Sequence, residues 1–252
     1  PVAMEIRGII SSSTQLQFTR VTNEGPISAV NVSWYVAEFA RGVNVQRGTF
    51  AMAAATTNVP IAAIAAVNQA FVLWSKTPTN TDTQYGNNDP GVGEVTTTTN
   101  AQFRVNTAAA THTISGQVVE FTNPLDISVQ KANIATMAAG TASVTVAITP
   151  VAPARSFLLI NYQVGAANSG GNEGIYLLRG RLTGCTTTCN QVTVDRSVTG
   201  LAITQISYQV VTLNTGATVQ TNSTNFPIGT ATLSPALAPT IDTSRTFAML
   251  ST

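Results

Sequence analysis

Cys185 and Cys189 stand four positions apart in the segment Gly184-Cys-Thr-Thr-Thr-Cys-Asn190. That spacing suits a disulfide closing a Thr-rich loop, which implies an oxidising compartment. Two reduced thiols on opposite sides of a turn are the alternative. A zinc site would need two further ligands, and the single histidine, His112, lies far away in the chain. Haem attachment is excluded because Asn190 stands where a histidine should follow the second cysteine.

The eleven carboxylates are mostly isolated in sequence, whereas hydrolytic chemistry needs titratable groups held close together. Glu38 and Glu120 occupy equivalent positions in two copies of a repeat, but Thr212 fills that position in the third. A structural role is therefore expected of them, for example pairing with Arg across a sheet. His112 has no Ser or Cys partner motif and is expected as an exposed strand histidine. Neither a phosphate loop nor a dinucleotide fingerprint is present. The expectation is a non-enzymatic chain with no cofactor and no metal. The segment Asn80-Thr-Asp-Thr-Gln-Tyr-Gly86 alternates oxygen-bearing residues as calcium loops do, yet Gly91 stands where the bidentate acid belongs. A solvated connection is the expectation there, with Asn87, Asn88 and Asp89 as spare oxygen donors. Trp74, Tyr85, Asp82 and Asn87 hold the inventory of a sugar site, an aromatic face beside groups that can pin hydroxyls. They are the candidate ligand-facing residues; the plainer reading is aromatics, Tyr162 among them, closing the end of a sandwich. Asn31 and Asn222 lie in glycosylation sequons, and the threonine runs 96–99 and 186–188 could carry O-linked sugar.

The elements that must position these residues emerge from an internal repeat. The segment Val32-Ser-Trp-Tyr-Val-Ala-Glu-Phe39 returns as Ile114-Ser-Gly-Gln-Val-Val-Glu-Phe121 and as Ile206-Ser-Tyr-Gln-Val-Val-Thr-Leu213. Val45-Gln46, Val129-Gln130 and Val219-Gln220 form a second anchor, and Phe71, Phe157 and Phe247 a third. A fourth match joins Arg7-Gly-Ile-Ile-Ser11, Val92-Gly-Glu-Val-Thr96 and Arg179-Gly-Arg-Leu-Thr183. Each is followed by a short alternating segment, namely Leu16-Gln-Phe18, Ala101-Gln-Phe103 and Val192-Thr-Val194. The cysteine loop is an insertion at this turn in the third copy. Period-2 alternation places six strands in the first copy, near 4–11, 14–20, 29–39, 43–50, 58–65 and 69–76. The third of these predicts a dry face (Val30, Val32, Trp34, Val36) and a wet one (Asn31, Ser33, Tyr35). Ser115 and Ser207, Gln117 and Gln209 continue the wet face in the other copies. No helical stripe runs over three turns. The fold class expected is all-β, three tandem antiparallel sandwich units over 1–88, 89–172 and 173–252.

Composition bounds the class. Charged residues make up 9% and hydrophobic residues 44% of the chain, with 40 Thr and only two lysines, Lys76 and Lys131. An apolar fraction of this size supports a folded core, and Thr and Val favour pleated sheets. A net charge of +1 supplies no drive towards nucleic acid. The longest apolar run, 60–67, is far short of a membrane span, so no membrane insertion is expected. The first residue is Pro and no leader is visible, so the chain reads as a processed mature form or a piece of a longer protein.

The aromatic-Glu-Phe strand end, together with Leu16-Gln-Phe-Thr-Arg20, resembles the tandem β-repeats of large bacterial surface proteins. It is also similar in rhythm to the last strands of H-type lectin modules in phage tail fibres. The resemblance implies surface display and transfers no site. The expected setting is extracellular, on a cell or virion surface. The expected partners are further copies joined head to tail, or a glycan or protein receptor.

Overall fold

A computed structural model describes residues 5–20, 32, 34–78, 86–107, 112–134, 136–166, 173–223, 232, 234–237, 239–243, 246 and 248. The described chain is all-β, built from small antiparallel sheets, as its composition implies. Its helical content is limited to short 3₁₀ turns at Val67–Gln69, Pro153–Arg155 and Glu173–Tyr176.

The chain opens on a hairpin of β1 (Arg7–Ser12) and β2 (Gln15–Thr19). Then come β3 (Val43–Met52), β4 (Thr56–Pro60), β5 (Ala70–Thr77), β6 (Gly91–Thr97), β7 (Asn100–Val105) and β8 (His112–Phe121). These six strands make two three-stranded sheets, β3-β8-β5 and β4-β7-β6. Alternation does what the pleat requires: along β7, Ala101, Phe103 and Val105 point inward while their neighbours stay partly exposed. Phe103 fills the space over Gly116, where a Cβ would stand 2.9 Å from its ring. Met52, Ile64, Val72, Val95, Ile114 and Val118 complete this core.

The pattern repeats with β9 (Ile127–Ile134), β10 (Ser143–Val151), β11 (Ser156–Val164), β12 (Arg179–Thr183), β13 (Cys189–Asp195) and β14 (Ile203–Leu213). Their sheets are β11-β14-β9 and β10-β13-β12, the same order shifted by six strands. Ile134, Met137, Val164, Tyr176, Val192 and Ile206 sit in the second core. A third apolar cluster joins the two sheet pairs through Phe71, Val119, Ile127, Val129 and Val211. In it Phe71 and Phe157 meet edge to face at 5.9 Å.

The three sequence anchors turn out to be the three strands of one sheet. Val45 and Phe71 both pair with Val119 of the next copy's first anchor, and Val129 and Phe157 both pair with Val211. The fourth match is a matter of register: Gly8 lies opposite Phe18, Gly93 opposite Phe103 and Gly180 opposite Val194.

Three expectations need correction. The boundaries at 88/89 and 172/173 fall inside the two sheet pairs, because the central strands β8 and β14 close sheets begun by the strands of the preceding copy. The supposed wet face is buried in β8 and β14, where Ser115, Ser207 and Gln209 lie inside; each central strand has a core on one side and neighbouring structure on the other. The third strand of the first copy, near 29–39, is absent over its described part. Residues 34–39 take no strand conformation, and Val32, Trp34, Tyr35, Val36 and Phe39 are exposed.

Candidate functional site

The edge strand β5 carries Trp74, Ser75 and Lys76 into a cleft of about 430 Å³ between the two sheet pairs. Leu159 to Tyr162 of β11 form the opposite wall, and Glu5, Asp89 and Gly91 close it. Trp74 is half-buried, its ring edge-to-face on Phe103 at 5.8 Å. Gly93 lacks a Cβ where one would come within 2.7 Å of the indole nitrogen. That nitrogen donates to Asn161 Oδ1 at 2.7 Å. Ring and nitrogen are thus both committed, so Trp74 locks β5 to β6 and β11.

Lys76 is buried in the same place, its Nζ 2.5 Å from Glu5 Oε2, 3.3 Å from Asp89 Oδ1 and 3.4 Å from His112 Nδ1. Asp89 Oδ2 accepts the Gly86 amide at 2.6 Å. A buried ammonium is tolerable only when paired, and here two carboxylates pair it. The cluster fastens the 5–6 entry and the 86–90 turn to β5. His112, expected to be exposed, is buried, because β8 is the middle strand of its sheet.

Of the candidate ligand-facing residues, Asp82 and Tyr85 lie outside the described residues. Asn87 hydrogen-bonds Thr107 Oγ1 at 3.2 Å. The structure brings Trp74 and Asp89 to one cleft. Among the described residues no group of three His, Cys, Asp or Glu side chains is placed to hold a metal ion. No helix among them is long and apolar enough to cross a membrane. Glu120 takes the Ala65 amide at 2.6 Å and Asn44 Nδ2 at 3.3 Å; its partners are a backbone amide and an asparagine where an arginine was expected. Asn31 lies outside the described residues, and Asn222 is exposed.

Cys185 and Cys189 form a disulfide across the turn between β12 and β13. Gly184 makes the turn possible with a φ of +65°, where a Cβ would collide with Asn190. Cys189 is itself buried against Val151.

Sequence reasoning missed three charged fixtures. Glu94 and Arg104 pair at 2.5 Å across β6 and β7. Arg179 and Arg181 both grip Asp195. Burial alone would raise the Asp195 carboxyl, but the two guanidinium hydrogen bonds outweigh it and hold the carboxyl below its ordinary range. Alternation held the clue: residues 179 and 181 share a face, and Asp195 lies on the adjoining strand. Arg196, buried, donates to the carbonyls of Ala138, Ala139, Thr141 and Leu201 at 2.5–3.0 Å, and burial lowers its pKa. Nothing in the sequence marks those acceptors, since they are backbone atoms. Compared with protein-family models, with curated proteins and with solved structures, the chain matches none of them.

Proposed function

We propose that the chain is a non-enzymatic structural subunit of an extracellular filament, fibre or particle surface. Its working parts are β-sandwich units, spanning 43–121 and 127–213, with further repeat material on either side. The observation that carries this reading is a joint that recurs. The hairpin strand β6 packs on β11 of the following unit, and β1 packs on β5 in the same way. The joint is sealed by side chain to backbone: Gln209 receives the Val72 amide at 3.0 Å and donates to the Val72 carbonyl. A heterologous joint used repeatedly builds open, polar arrays. The charged groups of the cleft are spent on one another, as a scaffold requires. The disulfide suits an oxidising exterior. Electron microscopy of the purified chain tests the reading: filaments with a β-domain repeat are expected, and monodisperse particles at high concentration would overturn it.

The second reading, an adhesin or tail-fibre segment for glycan or protein receptors, rests on the same cleft, which Tyr162 lines together with Trp74 and its partner Asn161. Binding on a glycan array that is lost in Tyr162→Ala would favour it.

A further inference from the structure

We propose that one copy of this chain joins the next by completing a sandwich between them, β1, β2 and residues 34–39 of one copy closing on residues 217–223 and 239–243 of the other. The inference rests on the head-to-tail reading above and names its partner and its mechanism. Each complete unit uses six strands in a fixed order. Its first three (β3, β4, β5 or β9, β10, β11) precede its last three, and the sixth strand lies between the first and third. Ahead of the first complete unit, β1 and β2 match the fourth and fifth strands of a unit. Behind the second, Gln220 matches Gln46 and Gln130 of a unit's first strand.

The leading segment is already shaped for that role. β1–β2 reproduces β6–β7 in detail, with a register shift at Ile10/Ser12 in one and at Val95/Thr97 in the other. The Thr14 amide donates to Ser12 Oγ at 3.3 Å, and the Thr99 amide to Thr97 Oγ1 at 3.2 Å. Ser11 bonds the Gln15 carbonyl as Thr96 bonds that of Asn100. The hairpin also stands where a preceding unit's hairpin would stand, with the Gly8 amide donating to Ser75 Oγ of β5 at 3.1 Å. What it lacks is cover. Phe18 is 42% exposed while its counterpart Phe103 is 2% exposed. Val36 is 53% exposed, against 4% and 0% for Val118 and Val210.

The trailing segment is the matching half. Gln46 clamps the backbone of Ala62 with its side-chain amide, and Gln130 clamps that of Thr149. Gln220 holds the Pro239 carbonyl at 2.7 Å over the same 19-residue separation as Gln130 and Thr149. Ile241 stands at the place of Val151 but is 37% exposed, against 5%. The register follows by counting. Val219 would lie opposite Ala37 as Val45 lies opposite Val119. A second copy is the occupant because each uncovered half presents the counterparts that the other lacks, Phe18 and Val36 on one and Gln220 and Ile241 on the other.

Single variants Ala37→Cys and Val219→Cys of the full chain, mixed and oxidised, test this; the native cysteines are already bonded to each other. The expected product is a disulfide-linked pair holding one chain of each variant. Ala37→Cys mixed with Ser223→Cys, out of register, should lose that product. Filaments that persist without the 37–219 link would overturn this inference while leaving the filament reading intact. Bonding inside a single Ala37→Cys/Val219→Cys chain would overturn it in favour of self-closure. Monomers by light scattering would sink both. Val36→Asp is expected to abolish assembly while leaving the melting of both complete units unchanged, and loss of that melting would instead mark the segment as part of their cores.

Discussion

Lys131 lies on β9 with its Nζ buried and without a hydrogen-bond partner among the described residues. Burial pushes its pKa from 10.5 down to about 8, with Glu94 opposing the shift. Below about pH 8 both folded and unfolded chains are protonated, and the fold bears the full cost of the buried charge. Between about 8 and 10.5 the unfolded chain binds the extra proton, so stability rises with pH across that window. Lys131→Met is expected to raise stability at pH 7 by about 3 kcal/mol and to flatten the rise, as urea titrations at pH 7 and pH 10 would read. Asp195 has the opposite sign. Its lowered pKa stabilises the fold above the ordinary carboxylate range, and this is lost as pH falls through the folded value. Both arginines are partly exposed, so solvent discounts the gain. Asp195→Asn should cost about 1 kcal/mol at pH 7 and nothing in acid. Arg196→Met strips the donors from four carbonyls and should cost about 3 kcal/mol at either pH.

Hairpins were the elements most legible from sequence. Glycine recurs at 8, 93 and 180 because each faces a bulky neighbour across the sheet or in the core, and that constraint leaves a mark in the residue type. Gly93→Val should drive Trp74 off its site and lower the melting temperature of unit 43–121 by several degrees, with unit 127–213 little changed. The Cys185–Cys189 brace was legible too, since the loop inserted at this turn announces a longer hairpin. It closes a short loop, so Cys185→Ser with Cys189→Ser should cost about 2 kcal/mol without dissolving the fold. Alkylation of both thiols only after reduction, read by intact mass, checks the bond itself. The central strands are not legible in this way, because alternation suggests a wet face wherever Ser and Gln recur. Ser115 and Gln209 are polar for the opposite reason: buried backbone and side-chain groups need partners there.

For the whole molecule, a tandem repeat announces its period in sequence but not its phase. Within the described strands the second and third anchors recur in β3, β5, β9 and β11 at the spacing read from the sequence, yet only strand pairing shows that β8 closes the sheet begun by β3 and β5. Strand pairing is long-range, and no local propensity records it. The joint between the units is apolar at Phe71 and Phe157 and polar at Gln209. Gln209→Leu leaves the Val72 amide and carbonyl unpaired, and it should split one calorimetric transition into two, one per unit. The burial of Lys76 and of the Lys131 amine has a chemical consequence of its own. These are the chain's two lysines, so its folded surface presents no lysine amine to aldehydes, reducing sugars or acylating reagents. The folded chain would age by hydrolysis and oxidation, with lysine glycation and lysine crosslinking closed to it.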